Sequence, residues 1–391
     1  MPRASANRAI VIGAGFAGLA AAEALAAAGV EVTVLEASDR VGGRVRSYEL
    51  DDGSVVELGA EFVLPGYEML RATVDRLGLE LYEKGTLYGE RDPVGGVATT
   101  TSQVREAAAS LAGAAGGSIS DALLRLVPAP GPREAIEARV AVSTAYEPED
   151  QPASVLADGA AGFGPFPSHG VVGGNDGIAR ALGARLRVEL RSEVGSITWS
   201  EHGVRIGELS ADACVLAVPA PRALAIAFDP PLPPWKHEAL ASVRYGQAAK
   251  LFLPLDAAAA PSQTLDVPGR FWTWTQLAPG GGPLPVASSF AGTPAALERL
   301  GVAAGPSTWA AEVRRLRPDL DYAEASPVLA TWPDGAYSAH ALSSPVDDEA
   351  LRRPVGPLAF AGEHTAGEWY ALMEGALRSG ARAAAEIVRS G

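Results

Sequence analysis

Residues 9–19 have the sequence Ala9-Ile10-Val11-Ile12-Gly13-Ala14-Gly15-Phe16-Ala17-Gly18-Leu19, an apolar strand that leads directly into a glycine turn and a helix. In such a turn Gly13 permits the tight bend, Gly15 permits a pyrophosphate to approach the backbone, and Gly18 permits close packing of the helix on the strand. The helix over residues 19–28 directs its free N–H groups and its positive dipole end at the phosphates. The stretch predicts a dinucleotide-binding site.

The residues that follow favour this interpretation over an ordinary glycine-rich βαβ turn, which remains the alternative because 44 of the 391 residues are glycine. Gly29 stands where a helix ends, and residues 30–35 form a second strand of alternating, β-branched type. Glu36 ends that strand, 18 residues after Gly18, where a carboxylate can accept both ribose hydroxyls. The acid argues against a 2′-phosphate and therefore against NADP.

A second glycine pair, in Gly42-Gly43-Arg44, follows Glu36 and could hold a further stretch of phosphate. A nicotinamide-binding domain does not need such a second phosphate-binding segment. The two glycine motifs, Glu36 and the segment Leu58-Gly59-Ala60-Glu61 resemble the N-terminal signature of the flavin-containing amine oxidase family, which includes monoamine and polyamine oxidases. The resemblance implies FAD as the cofactor. It does not identify a substrate.

The composition restricts the classes of partner. A net charge of −14 argues against nucleic acid, because phosphate binding needs clustered Lys and Arg. The single cysteine, Cys214, excludes an internal disulfide and is expected in a buried strand. Five scattered histidines show no ligand spacing, so no metal is expected. The strand, turn and helix explain the apolar residues 9–30 better than a membrane span, and we expect a cytoplasmic protein, either monomer or homodimer.

We predict an α/β fold (α+β overall), in which a Rossmann-like FAD-binding domain accompanies a second, discontinuous substrate-binding domain of mixed sheet and helices. A chain of 391 residues, 48% of them hydrophobic, is large enough for two domains. Helical patterning dominates residues 67–157, and the prolines of residues 230–235 predict a stiff hinge. The predicted boundaries are 1–78, 172–240 and 325–391 for the FAD-binding domain, and 79–171 and 241–324 for the substrate-binding domain.

Several shorter segments carry local predictions. Residues 55–62 are expected to form a strand, residues 128–132 a proline-rich loop between helices, and residues 292–317 helices. The aromatic strand Phe271-Trp272-Thr273-Trp274 either lines a substrate cavity or belongs to the core.

Residues 358–365, Leu-Ala-Phe-Ala-Gly-Glu-His-Thr, form a C-terminal counterpart of the opening motif. An apolar strand ends at Gly362-Glu363, and a helix is expected over residues 372–389. The resemblance implies that Glu363 contacts FAD and that the helix N-terminus near Met373 donates to the pyrimidine oxygen of the flavin. The dipole of this helix would stabilise the reduced, anionic flavin. Gly380 predicts close packing of the helix on the cofactor domain.

The resemblance implies further contacts to FAD. Val194 lies at the position whose backbone pairs with adenine, and Trp332 begins a loop, residues 332–337, that ends beside the flavin. Ala336 stands where covalently flavinylated members have cysteine, so the FAD is expected to be non-covalent. The complete set of residues expected at FAD is Gly13, Gly15, Gly18, Glu36, Arg44, Gly59, Ala60, Val194, Trp332, Gly362, Glu363 and Met373.

Lys250 and Tyr337 are expected to act at the reacting atoms. Lys250 lies inside an apolar strand of a chain in which 29 of the 32 basic residues are arginine, and a buried ammonium is costly without a partner. The resemblance implies that this lysine is linked through water to flavin N5 and helps oxygen to react there. The alternative is an edge-strand lysine that reaches solvent. Tyr337 matches one of two aromatic rings that flank the substrate in many amine oxidases.

The candidate substrate contacts are Glu61, Trp369, Tyr370 and Leu372. The resemblance to polyamine oxidases implies that Glu61 faces the substrate amine, and the alternative is a solvated strand end. Leu372 stands where the second aromatic ring is usual, and Trp369 or Tyr370 could substitute for it. The related L-amino acid oxidases grip the substrate carboxylate with an arginine near Glu61. This chain has none between Arg46 and Arg71, which weakens that alternative.

The resemblance implies oxidation of a carbon–nitrogen bond in a small-molecule amine. A neutral amine passes a hydride to flavin N5, O2 takes the electrons to give H2O2, and the imine is either hydrolysed or captured within the substrate. Two alternatives stay open. One is an FAD-dependent desaturase or dehydrogenase that acts on a carbon–carbon bond in a biosynthetic pathway, and the other is a non-catalytic FAD-binding protein.

Overall fold

A computed structural model describes residues 6–157, 163–339 and 348–389, with the side chains of residues 333–339 and 348 excepted. The strands of this part of the chain are β1 (Arg8–Ile12), β2 (Glu31–Leu35), β3 (Ser47–Glu49), β4 (Val55–Glu57), β5 (Leu81–Leu87), β6 (Asp92–Val94), β7 (Pro167–Val171), β8 (Arg187–Glu189), β9 (Ser196–Ser200), β10 (Gly203–Ile206), β11 (Leu209–Ala211), β12 (Ala213–Leu216), β13 (Ala227–Asp229), β14 (Arg244–Pro254), β15 (Ser262–Asp266), β16 (Phe271–Thr275), β17 (Val286–Gly292), β18 (Val328–Ala339) and β19 (Leu358–Phe360). The α-helices are α1 (Phe16–Ala27), α2 (Glu68–Leu77), α3 (Thr101–Ala108), α4 (Ile119–Leu126), α5 (Pro130–Thr144), α6 (Ser154–Ala157), α7 (Asp176–Gly183), α8 (Ala220–Ala225), α9 (Pro234–Ser242), α10 (Pro294–Arg299), α11 (Ser307–Leu316), α12 (Asp348–Arg352) and α13 (Met373–Arg389).

A five-stranded parallel sheet has the order β19-β12-β1-β2-β8. Alternate residues of β1 face opposite sides of it. Ala9 and Val11 pack with α1 and α13, whereas Ile10 and Ile12 pack towards the four-stranded sheet β11-β10-β9-β13. Both faces of the parallel sheet are therefore covered, as is usual for parallel sheets, whose strands are apolar on both sides. This arrangement confirms the predicted α/β fold with a Rossmann-like unit.

A six-stranded mixed sheet has the order β18-β14-β17-β16-β15-β6. Its long strand β14 directs Ala249, Leu251 and Leu253 into one core, together with α11. Since side chains alternate along a strand, Lys250 points to the opposite face, as do its neighbours at positions 248 and 252. Lys250 is thus a buried cation within the apolar run of β14 over residues 248–253.

Several local predictions are wrong, and in most cases pairing between distant segments is the reason. The helical pattern predicted for residues 67–157 is confirmed for most of the segment by α2 to α6, but the strands β5 and β6 interrupt it and pair with β7 and β15. Residues 332–337 belong to β18, which pairs with β14, rather than to a loop. The strand over residues 55–62 ends at Glu57. The prolines of residues 128–132 are not all in a loop, because α5 begins at Pro130 and proline is tolerated in the first turn of a helix.

Other predictions are confirmed by the described residues. Cys214 is fully buried in β12, the aromatic strand β16 is buried throughout, and α13 occupies the predicted C-terminal helix. A Cβ on Gly380 would lie 2.1 Å from the carbonyl oxygen of Ala17, so α13 packs directly against the backbone of α1. The boundaries of the two domains stay a prediction.

One buried carboxylate joins α13 to α2. Glu374 is fully buried, and its side chain accepts hydrogen bonds from the N–H groups of Met69 and Leu70 at 3.0 and 2.8 Å. Arg378, one turn further along α13, donates to the same carboxylate at 2.6 Å. Glu374 therefore caps the N-terminus of a helix that is more than 300 positions away in sequence, as the separations of 305 and 304 residues show.

Glu374→Ala is expected to lower the free energy of unfolding by about 3 kcal/mol, because it leaves the buried N–H of Leu70, the half-buried N–H of Met69 and a guanidinium without their charged acceptor. Urea unfolding monitored by circular dichroism would measure the change. Glu68→Ala, which removes an exposed carboxylate from the first turn of the same helix α2, is the control and should change stability by less than about 0.5 kcal/mol. Equal effects of the two substitutions would contradict the capping role.

Candidate active site

The first glycine turn leaves an open approach to the N-terminus of α1. Gly13 has a φ of +99°, and its N–H donates to the carbonyl of Leu35 at 2.8 Å. A Cβ on Gly18 would lie 1.8 Å from the carbonyl oxygen of Gly13, so only glycine permits this packing. A Cβ on Gly15 would meet no atom within 4 Å, and no side chain caps α1 there. The first N–H groups of α1 can therefore receive an anion from the open side.

Glu36 is held beside this turn, directly after β2. Its Oε2 accepts a hydrogen bond from the N–H of Ala14 at 2.7 Å. Its Oε1 accepts from the N–H and the hydroxyl of Ser38 at 2.9 and 2.8 Å. A carboxylate has about four lone-pair positions, so this oriented group can still accept hydrogen bonds from a ribose.

The second glycine pair lies across the first turn. The N–H of Gly42 donates to the carbonyl of Ala14 at 2.8 Å. Gly42 and Gly43 have φ values of +105° and +58°, and a Cβ on Gly43 would lie 3.3 Å from the Cα of Gly15. The two glycine motifs therefore form one continuous surface of backbone.

Arg44 and Glu363, which the sequence predicted as separate contacts to the cofactor, form a pair with each other. Their side chains make two hydrogen bonds of 2.9 and 2.5 Å across a separation of 319 residues. Burial raises the pKa of Glu363, but the Arg44 guanidinium and His364 outweigh it and hold the pKa well below its usual range. The pair joins the N-terminal and C-terminal motifs at one place.

The segment after β4 packs on the backbone of Arg44. A Cβ on Gly59 would lie 2.0 Å from the carbonyl oxygen of Arg44, and the N–H of Ala60 donates to the same oxygen at 3.1 Å. Trp332 in β18 donates its indole N–H to the carbonyl of Leu58 at 2.9 Å. These contacts bring Gly59, Ala60 and Trp332 to the second glycine motif.

The C-terminal motif reaches the same region through α13. The N–H of Gly362 donates to the hydroxyl of Ser379 at 3.0 Å, and Met373 begins the helix as a buried residue. Val194 lies farther off, in the loop between β8 and β9, where it packs against the core on the other face of the five-stranded sheet. The individual contacts of these residues to a cofactor stay predictions.

Lys250 lies in a buried cluster of charges rather than at a solvent-facing edge. Its Nζ donates to Glu61 Oε2 at 2.6 Å and to the carbonyl of Glu57 at 2.9 Å. The other oxygen of Glu61 accepts from Lys84 Nζ at 3.1 Å. The solvated alternatives proposed for Lys250 and Glu61 are therefore wrong, since the two residues are each only 5% exposed. Burial raises the pKa of Glu61, but the ammonium groups of Lys250 and Lys84 together more than offset it, so that the pKa is lowered.

Lys84 was missed because it lies in β5, within a segment that was expected to be helical. A compositional signal could have revealed it. The chain has three lysines, and all of them are buried: Lys84, Lys236 and Lys250. In a chain that uses arginine for its other basic residues, a lysine marks a place where a compact ammonium group fits and a guanidinium does not.

Asn175 ties this cluster to the turn before α7. It is fully buried, and its amide donates to the carbonyls of Ala60 and Glu61 at 3.1 and 2.7 Å. Its backbone N–H donates to the carboxyl of Glu57 at 2.7 Å, which also accepts from the hydroxyl of Ser47 at 2.8 Å. The positions of Glu57 and Glu61 are therefore fixed by backbone and amide hydrogen bonds.

Glu57 should make stability depend on pH. Burial raises its pKa to about 7 from the ordinary value of 4.5, so folding takes up a proton between these values and stability falls as pH rises through this range. Glu57→Gln removes the titration. The wild type loses stability between pH 4.5 and pH 8, and the variant does not. The free energy of unfolding of the variant minus that of the wild type is therefore expected to grow by about 3 kcal/mol over this range. Denaturant unfolding at a series of pH values measures this, and a constant difference would contradict the assignment.

The candidate substrate contacts near the C-terminus lie before α13. Trp369, Tyr370 and Leu372 are half-buried, and Ala371 between them has a φ of +60°. The ring of Trp369 lies edge-on to Tyr67 at 6.1 Å and 4.7 Å from the Arg378 guanidinium. The backbone of Tyr337 lies in β18 opposite Gly246, and its side chain is outside the described part of the chain.

The residues present fit a flavin dinucleotide. The open space over Gly15 gives room for a pyrophosphate, and the uncapped N-terminus of α1 provides hydrogen-bond donors for it. The oriented carboxylate of Glu36 provides an acceptor for a ribose. Within the described residues no group of three His, Cys, Asp or Glu side chains could hold a metal ion. No helix in that part of the chain is both long and apolar enough to cross a membrane.

Comparison with known proteins gives concordant matches. The family model described as "Flavin containing amine oxidoreductase" matches residues 16–151 and 124–388. Polyamine oxidase 1 of Oryza sativa subsp. japonica is 31% identical over 333 residues, which cover 67% of this chain and 64% of that protein. The chain thus spans less than two thirds of the length of that relative.

Two further matches extend over nearly the whole chain. The "Putative flavin-containing monoamine oxidase AofH" of Mycobacterium tuberculosis is 28% identical over 470 aligned positions, covering 97% of this chain and 96% of that protein. The structure of wild-type putrescine oxidase bound to putrescine has a TM-score of 0.84 at 22% identity and covers 98% of this chain and 99% of its own. At this identity, the structural match shows a shared fold.

Proposed function

Because the chain belongs to the family of flavin-containing amine oxidoreductases, we propose that it oxidises a carbon–nitrogen bond of a small-molecule amine with non-covalently bound FAD. Membership of the family supports a flavin cofactor and the amine oxidase class for this chain. The identity of the flavin as FAD, the absence of a covalent bond and the reaction products belong to the proposal.

One observation carries the proposal: the two glycine motifs form one continuous backbone surface with Glu36 oriented beside it, and hydrogen bonds and packing connect this surface to a buried lysine. The N–H of Gly42 is bonded to Ala14 in the first motif, and Arg44 in the second motif is bonded to Glu363. The segment packed on Arg44 leads within two residues to Glu61, which binds Lys250. Phosphate-binding backbone and a desolvated cation therefore lie in one connected region.

When bound, the flavin supplies two-electron acceptor chemistry, by which an amine becomes an imine through hydride transfer to N5 and O2 becomes H2O2. The glycine motifs would hold the pyrophosphate, and Glu36 would orient the ribose. Lys250 would present an ammonium group whose position is set by Glu61 and the carbonyl of Glu57. The Trp274 ring lies 5.8 Å from Lys250 Nζ, and it packs in turn on the rings of Trp272 at 4.2 Å and Phe62 at 5.7 Å. Such low-polarity surroundings favour the neutral amine over its ammonium form.

An anaerobic flavin-bleaching screen tests the proposed function. The purified protein is expected to be yellow and to lose its flavin absorbance with at least one primary, secondary or polyamine substrate, and admission of oxygen should restore the absorbance and release peroxide. Acid denaturation should release the flavin into solution, since no covalent bond holds it. A yellow protein that is bleached by apolar polyenes and by no amine would replace the proposal with the carbon–carbon alternative. Cytoplasmic location and a homodimer stay predictions.

A further inference from the structure

The oxygens of Glu61 are divided between two lysines. Oε1 accepts from Lys84 at 3.1 Å, and Oε2 accepts from Lys250 at 2.6 Å. The exposed fractions of the three side chains are 1% for Lys84, 3% for Glu61 and 6% for Lys250. Each oxygen of this buried carboxylate already accepts from one ammonium group, so an ammonium group arriving from outside would be a third cation beside a single negative charge.

Lys84 is not free to move away. Its ammonium has three acceptors, which match its three N–H groups: Glu61 at 3.1 Å, Gln276 Oε1 at 3.3 Å and the hydroxyl of Tyr82 at 3.5 Å. Gln276 is itself fixed by the indole N–H of Trp274 at 3.1 Å. The rings of Phe62 and Tyr82 lie 5.7 and 5.5 Å from the same ammonium. The ammonium group of Lys84 is thus held in a fixed position inside the cluster.

The remaining carboxyl of the cluster is also engaged. Glu57 accepts from the N–H of Asn175 at 2.7 Å and the hydroxyl of Ser47 at 2.8 Å. Glu61 is balanced by two ammonium groups, and burial raises the pKa of Glu57 to about 7, so these four groups carry a net positive charge below that pH. Coulomb repulsion by Lys84 and Lys250 would act on any ammonium brought close, and burial strengthens it.

We propose that Lys84 determines substrate specificity by occupying Glu61, so that the protein oxidises amines with a single ammonium group and rejects those that carry a second one near the reacting nitrogen. The inference rests on the proposed function and deepens it. It runs against the first expectation from the relatives, since these include proteins named polyamine oxidase and putrescine oxidase. In this chain Glu61, the acid that could hold a distal ammonium, is already paired with a cation of the protein.

The test compares butylamine with putrescine, which has the same carbon chain and a second amine, on the flavin-loaded protein. The wild type is expected to favour butylamine in kcat/KM. Lys84→Met leaves Glu61 paired with Lys250 and should raise the ratio of kcat/KM for putrescine to that for butylamine by at least about tenfold. Lys84→Gln keeps a hydrogen bond to Glu61 without the charge and should shift the ratio in the same direction, which also covers the case in which the methionine variant does not fold.

Lys236→Met is the matched control, because it removes another buried lysine whose Nζ donates to the carbonyls of Ala350 and Leu351, outside the cluster. The ratio of kcat/KM for putrescine to that for butylamine should be the same in this variant as in the wild type. Binding can also be measured without turnover, with a diamine and a monoamine that have no hydrogen on the carbons next to nitrogen and therefore cannot be oxidised. Calorimetry on the loaded protein should show the diamine gaining affinity only in the Lys84 variants.

Two results would overturn the inference: a wild type that prefers putrescine, or a ratio that neither Lys84 variant changes. Failure of the proposed function would be recognised separately, because then no amine would reduce the flavin in any of the four proteins.

Discussion

Gly15→Ala is expected to give a folded protein that does not retain flavin. The backbone at Gly15, with φ −72° and ψ 176°, is open to alanine, and a Cβ there meets no protein atom within 4 Å. The added methyl group would instead fill the space over the N-terminus of α1 that a pyrophosphate needs for close approach. We expect flavin affinity to fall by at least about 100-fold, which corresponds to about 3 kcal/mol. Titration of the apoprotein with FAD, followed by flavin fluorescence, measures this loss.

Two other glycines make this prediction specific. Gly18→Ala should lose both stability and flavin, because its Cβ would lie 1.8 Å from the carbonyl oxygen of Gly13 and the turn would have to move. Gly113→Ala places a Cβ in open space outside the cradle and should keep the flavin affinity of the wild type. Full flavin occupancy of the Gly15 variant would show that the nucleotide does not bind at this turn.

Lys250→Met is expected to slow reoxidation of the reduced flavin by oxygen, on the order of 100-fold, and to slow reduction by the amine much less. A desolvated ammonium stabilises the negative charge that develops on oxygen. Hydride transfer from a neutral amine instead places its negative charge on the flavin, which the dipole of α13 is expected to stabilise, so reduction should depend less on Lys250. Since Glu61 keeps Lys84 as a partner at 3.1 Å, the substitution does not leave its carboxylate without a cation. Stopped-flow measurement of the two half-reactions separates the effects.

Lys236→Met again serves as the control, because it removes a buried ammonium that lies against Phe360 at 3.9 Å rather than in the Glu61 cluster. Its reoxidation rate should match that of the wild type. If Lys250→Met leaves the oxygen reaction unchanged, Lys250 has no role there, and its contact with Glu61 is structural.

The parts of the site that were predictable are those whose physical requirement is local. A tight turn, a close helix contact and a ribose acceptor must each come from a particular residue at a particular spacing, so Gly13, Gly18 and Glu36 could be identified from contiguous sequence. Lys250 could be singled out because a lysine inside an apolar strand is costly in any fold. Its partner could not, since nothing near position 250 specifies Glu61.

The failures share a cause. Lys84 lies in β5, which is a strand because it pairs with β7, and Trp332 and Tyr337 lie in β18 because they pair with Ala248 and Gly246 of β14. Strand formation depends on neighbours across the sheet more than on the residues themselves, so a single-sequence pattern for helix or loop can be overridden.

By itself, the sequence determined the βαβ nucleotide motif, the C-terminal strand and helix, and the presence of an uncommon buried cation. Only the tertiary structure decided which charges meet. Glu61 joins Lys84 and Lys250 over separations of 23 and 189 residues, and Arg44 joins Glu363 over 319. The physical reason is that a turn or a helix end constrains residues within a few positions of one another, whereas an ion pair is chosen by sheets and helices packing together, which leaves no periodic trace along the chain.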